Sequence, residues 1–399
     1  MTSPSVGGPL RWTLAAPLLA FLVLLSTWAA HEHWAVLSLI AVSLVGAVIA
    51  AVHHAEVVAH KVGEPFGSLV LAVAVTVIEV ALIVTLMSSG GKDTSTYARD
   101  TVFAAVMICL NGIVGLSLLV GAARHRLASF NASGTGSALA TVITLASITM
   151  VLPRFTTSAP GGAFTTSQLA FAAVASLFLY ALFVFTQTVR HRTFFLPVRS
   201  DEYGRMTGLM DLEDQDGDGY ADPPTARQAW TSAVLLVVSL ISVVGLAKLL
   251  SPTIESGVES LGFPQAVVGV VIALLVLSPE TVAAARNAHR DRTQISLNLA
   301  YGSAMASIGL TIPTIAIAMI WIEGPLDLGL EATQMVLLAM SVTVSILTVV
   351  SGRAKTLHGG LHLALLAAFL FVSVQPCAPP SGRRCAPSTR PLGADVRRA

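Results

Sequence analysis

Two glutamates stand in stretches that are otherwise almost entirely apolar. Glu79 lies near the middle of VAVTVIEVALIVTL, residues 73–86, and Glu280 lies late in VVIALLVLSPETVAAA, residues 270–285. An ionised carboxylate in such surroundings is unstable by at least a few kcal/mol unless it is protonated, hydrated or neutralised by a bound cation. A basic partner is not at hand: apart from Arg286 at the last position of its run, Lys248 is the one lysine or arginine inside any predicted span, near a helix end where it can snorkel to the interface. Two carboxylates that accept either protons or one metal cation form a device for exchanging the two. The alternatives are a pair of protonated glutamates that merely bond helices together, or a channel lined by glutamates.

The neighbouring residues suit such a site. Thr76, Ala72 and Ser68 precede Glu79 by three, seven and eleven residues, on one helical face of small and polar side chains. Ser303, Ser307 and Thr311 recur every fourth residue, and Asn111 supplies an amide in the corresponding segment of the first half. Ser278 adjoins Pro279, which lacks a backbone donor and predicts a helix kinked or broken there, with carbonyls freed for a cation. The candidate cation and proton ligands are Glu79, Glu280, Thr76, Ser278, Asn111, Ser303 and Ser307, with Glu64 of the Gly-Glu-Pro element ahead of the first carboxylate helix.

A second acidic group is DQDGDG, residues 214–219. Asp214, Asp216, Asp218 and Gly219 fit positions one, three, five and six of a calcium loop, but the twelfth position is Thr225 and Pro223–Pro224 interrupts the exiting helix. This reads as an acidic connecting loop with at most a weak regulatory metal site. The histidines His31, His33, His53, His54, His60, His358 and His362 are read as lying at membrane interfaces. No HExxH is present, which argues against an intramembrane metalloprotease.

The elements that must position these residues are membrane spans. Of 399 residues 54% are apolar and 11% charged, against roughly a quarter charged in soluble domains. Eleven runs long enough to cross a bilayer are found near 13–30, 34–54, 67–88, 101–122, 135–152, 167–188, 229–250, 263–286, 296–322, 331–350 and 357–374. The first run is also compatible with a signal peptide, although it is long for one. Alternate connections carry fourteen lysines and arginines on one side and only Lys92, Arg99 and Arg154 on the other, predicting a cytoplasmic N-terminus and an external C-terminus. Cys377 and Cys385 share the Pro-rich tail and are either paired there or free.

The chain also repeats itself. GEPFGSLVLAVAVTVIEVALI (63–83) and GFPQAVVGVVIALLVLSPETVAAA (262–285) share Gly-x-Pro, an aliphatic run and a late glutamate; NGIVGLSLL (111–119) and AMASIGLTIP (304–313) share Gly-Leu-Ser/Thr. The expected plan is an all-α integral membrane protein: an extra N-terminal helix (1–33), a five-helix repeat (34–188), a cytoplasmic acidic loop (189–228), a second five-helix repeat (229–375) and a disordered tail (376–399). An odd number of spans per repeat inverts the second copy, the layout of many secondary transporters with their substrate near the midplane.

At GEPFGSLVLAVAVTVIEVALI, SPETVAAARNA and NLAYGSAMASIGLTIPTIAI the sequence resembles bacterial calcium/proton antiporters of the ChaA type, in the CAX branch of the calcium/cation antiporter superfamily. The resemblance extends over nearly the whole chain and implies export of calcium, and also of sodium or potassium, in exchange for entering protons across a bacterial cell membrane. It implies that Glu79 and Glu280 bind cation and protons in turn. Val-Ile and Ser-Pro stand before the glutamates where the commoner CAX repeats have Gly-Asn, so a sodium or potassium exchanger with little calcium transport is a rival expectation. No cofactor, nucleic acid or enzymatic activity is expected; the partners are the lipid bilayer, cations and protons.

Overall fold

A computed structural model describes residues 10–28, 33–62, 66–88, 94–196, 224–321 and 326–375. They form eleven helices: α1 Leu10–Thr27, α2 Trp34–Val62, α3 Phe66–Ser88, α4 Tyr97–His125, α5 Ala132–Phe155, α6 Thr166–Arg190, α7 Ala226–Ser260, α8 Ala266–His289, α9 Thr293–Ala318, α10 Ala332–Val350 and α11 Thr356–Val374. Each coincides with one of the eleven apolar runs. Nine are long and apolar enough to cross a membrane, and the described apolar stretches of α1 and α3 are shorter. The chain is a multi-pass membrane protein.

Helix starts follow local chemistry. Asn131 accepts from the Gly134 amide ahead of α5, and Thr165 with Gln168 and Thr225 with Gln228 close reciprocal capping boxes ahead of α6 and α7. Thr225, the would-be twelfth position of the calcium loop, is therefore engaged as a helix cap.

The connections sort onto two sides. Strands β1 (Ala128–Ser129) after α4 and β2 (Arg353–Ala354) after α10 pair antiparallel, and Asn131 N donates to Gln294 Oε1 at 2.6 Å where α8 turns into α9. On the other side Ala163 bridges Asp327, Asp327 N donates to Ser95 O at 3.0 Å, and Tyr97 donates to Gln265 at 3.0 Å. Each of these bonds joins connections of the same parity, as helices that cross the membrane alternately require.

The longest helix, α7 with 35 residues, packs along α2 with 29, and α1 lies against both. At about 1.5 Å per residue α7 is about 52 Å long, well beyond a hydrocarbon layer of about 30 Å, so it must tilt or project. At the centre is α4, 89% of whose most apolar window is buried. Gly269 of α8 lets the backbones of α8 and α4 meet, since a Cβ there would fall 2.9 Å from Thr101 N.

Three expectations need correction. First, α8 runs unbroken through Pro279. The carbonyl that Pro279 cannot bond, four residues back at Leu275, accepts instead from Ser278 Oγ at 2.8 Å. Helical irregularity lies elsewhere: a π-turn at Ile108–Ile113 in α4, and a break in α9 at Leu310 (φ −108°), where Pro313 clashes with the carbonyl of the preceding turn. Second, Arg99 is no loop residue but a buried one in the first turn of α4. Third, His54 and His362 are buried in the protein rather than placed at an interface.

Candidate functional site

Glu79 on α3 and Glu280 on α8 are buried, at 3% and 4% exposure. Glu79 Oε2 accepts from Ser307 Oγ at 2.9 Å and Thr311 Oγ1 at 3.3 Å, both on α9. The carboxylate of the first repeat is thus held by hydroxyls of the second. The Glu280 helix α8 packs on the Glu79 helix α3 and on the π-turn of α4, which carries the buried Cys109. That places the two helices and the π-turn around one region.

The π-turn also sets Asn111. Its Nδ2 donates to Ser341 Oγ of α10 at 2.8 Å, which leaves Oδ1 buried without a hydrogen-bond partner. Glu79 Oε1, Glu280 Oε2 and Thr76 Oγ1 are likewise buried and unpartnered. Buried polar atoms are nearly always bonded. Thr101 Oγ1 and Ser117 Oγ of α4 are unpartnered too, but these four oxygens include both carboxylates, and oxygen is the ligand type of a hard cation; no lysine or arginine forms an ion pair with either glutamate among the described residues.

The other predicted ligands divide. Ser307 joins Glu79, with Thr311 beside it. Ser303, one turn earlier on α9, is half-buried and bonds neither glutamate among the described residues, and Ser278 is engaged with Leu275. Glu64, Asp214, Asp216 and Asp218 lie outside the described residues, as do Cys377 and Cys385.

Sequence reasoning missed a buried ionic cluster at the start of α4. Arg99 Nε meets Asp100 Oδ1 at 2.9 Å, Arg99 Nη1 meets Asp327 Oδ2 at 3.4 Å, and Gln334 donates to Asp100 at 3.2 Å. Partial burial raises the Asp327 carboxyl above its ordinary range, against the pull of Arg99 and of the Gly329 amide. The cluster ties α4 of the first repeat to the α9–α10 connection of the second. Charges at the margin of an apolar run look like loop residues, so the sequence carries no sign of it.

The family description "Sodium/calcium exchanger protein" matches residues 32–189 and 231–375, which are the two five-helix halves. The chain belongs to the sodium/calcium exchanger family. Being an exchanger, it is a secondary active cation transporter of the lipid bilayer and not an enzyme. It is 42% identical to y4hA of Sinorhizobium fredii over 92% of this chain and 96% of that protein. It is 32% identical to the sodium-potassium/proton antiporter ChaA of Escherichia coli over 90% of this chain and 95% of that one. In fold the exchanger resembles the solved structure of YfkE, with a TM-score of 0.66 at 16% identity, covering 92% of this chain and 99% of that one.

Proposed function

We propose that this exchanger moves Ca2+ out of the cell against entering protons by alternating access, with Glu79 and Glu280 holding either the cation or protons. The observation that carries this reading is the set of four unpartnered buried oxygens: Glu79 Oε1, Glu280 Oε2, Asn111 Oδ1 and Thr76 Oγ1. Oxygen ligands with two carboxylates suit a hard divalent cation. Protonation neutralises the same carboxylates, so cation and proton compete for one place, and that competition couples the two fluxes. Two protons per Ca2+ make the cycle electroneutral.

The Asn111–Ser341 bond and the Glu79–Ser307 bond each join the two repeats, so a tilt of one repeat against the other rearranges the site as a unit. The lysine and arginine bias of the connections supports a cytoplasmic N-terminus and an external C-terminus. A second reading, sodium or potassium in place of calcium, is favoured by the likeness to the sodium-potassium/proton antiporter of Escherichia coli.

The test is cation-dependent proton movement in everted membrane vesicles with calcium, sodium, potassium and magnesium in turn. Calcium should collapse the pH gradient with the natural chain and leave it intact with Glu280→Gln. A response to sodium or potassium alone selects the second reading, and no response to any cation in correctly inserted protein sinks both.

A further inference from the structure

A second pair of carboxylates follows the same repeat. Glu56 on α2 stands seven residues before Gly63, and Glu255 on α7 stands seven residues before Gly262, the two glycines that open the repeated Gly-x-Pro elements. We propose that Glu56 and Glu255 are relay carboxylates, one near each membrane face, that pass the transported cation to Glu280 and to Glu79 respectively. The proposal rests on the exchange reading above and adds the route to the site.

The placement carries it. Glu56 is half-buried six residues before the end of α2 at Val62, and Glu280 is nine residues before the end of α8 at His289. At about 1.5 Å per residue these are about 9 and 14 Å from helix ends on the same side of the bundle, on helices that touch. Glu56 lies within electrostatic reach of Glu280, and Arg286 of α8, one further step toward the surface, lies within reach of Glu56. Glu280 Oε2 is buried and unpartnered, so a cation arriving by way of Glu56 finds an open ligand.

The opposite face repeats the register and the helix contact. Glu255 is half-buried five residues before the end of α7 at Ser260, and its Oε1 accepts from the buried Ser251 Oγ at 3.3 Å. Glu79 lies nine residues before the end of α3 at Ser88, and α3 packs on α7. In both repeats the outlying carboxylate belongs to the long helix and the deep one to the helix that follows it. A half-exposed carboxylate attracts a hydrated cation without stripping it of water, which is what a waiting position requires.

The experiment measures calcium-dependent proton movement against calcium concentration in everted and in right-side-out vesicles. It compares the natural chain with Glu280→Gln, Glu56→Gln, Glu56→Asp and Glu255→Gln. Removing one unit charge at this range should raise half-saturating calcium about tenfold in one vesicle orientation with the maximal rate unchanged. Glu255→Gln should do so in the other orientation only, and Glu56→Asp should restore the natural value. Equal shifts in both orientations, a fall in maximal rate alone, or no shift in either variant would overturn the relay. A natural chain that moves no protons with any cation fails the exchange reading itself, a different result from a natural chain that works and variants that match it.

Discussion

Ser307 of α9 donates a 2.9 Å hydrogen bond to Glu79 of α3, so a carboxylate of one repeat takes its geometry from a hydroxyl of the other. Hydrogen bonds to charged groups contribute about 1.5–3 kcal/mol, and 1.4 kcal/mol is a factor of ten in affinity. Ser307→Ala should therefore raise half-saturating cation by about tenfold or more, and Ser307→Thr, which keeps the hydroxyl, by much less. Cation titrations of proton movement in vesicles check this; equal half-saturation in the natural chain and the alanine variant would show that the bond does not position Glu79 for the cation.

Ser278 and Pro279 form a compensated pair through the Leu275 carbonyl. Ser278→Ala alone leaves that carbonyl without its donor and should destabilise the protein by about 1–3 kcal/mol. Pro279→Ala restores a backbone N–H that can take the donor's place, so the double variant should recover most of the loss. Thermal unfolding of the four proteins in detergent gives the coupling energy, and additive losses would refute the compensation.

Arg99 is the buried cation of the ionic cluster at the start of α4, at 6% exposure. Arg99→Met strands Asp100 as an uncompensated buried charge and should destabilise by about 3–5 kcal/mol, whereas Arg99→Lys recovers only part because the ammonium lacks the planar fork that serves both Asp100 and Asp327. Unfolding temperatures rank the three proteins.

Asp327 gives the cluster a pH dependence. Its folded carboxyl is raised above the unfolded value, chiefly by burial, so the folded protein binds this proton more tightly than the unfolded chain. The stabilisation from that proton is present below the unfolded value and is lost as pH rises through the folded one. Asp327→Asn should flatten this acid-side slope of unfolding temperature. An unchanged difference between natural chain and variant from mildly acidic to neutral pH would contradict the assignment.

What the sequence discloses here depends on how local the governing physics is. Each of the eleven helices is visible as an apolar run, because crossing a bilayer is a local length requirement. Glu79 and Glu280 stand out because a lone carboxylate in such a run has no ordinary explanation. Ser307 and Thr311 are suggested by their four-residue spacing, whereas Ser303 shares the spacing but makes no bond to the site. The partner of Asn111, Ser341, is 230 residues away and no pattern links them. Pro279 misleads because its effect is cancelled one residue earlier, and the π-turn at Ile108–Ile113 has no composition of its own.

The short β1–β2 ladder sets a schedule for biogenesis. Ala128 pairs with Ala354, so the first strand leaves the ribosome 226 residues ahead of its mate. At roughly 5–20 residues per second, that strand waits about ten to forty-five seconds with its backbone groups held only by water. Being at a membrane face, it can wait without penalty in a way that a strand inside the hydrocarbon could not. A chain that stalls or is truncated before α10 therefore lacks this ladder, and its α4–α5 turn is held only through the α8–α9 connection, where Asn131 N meets Gln294 Oε1.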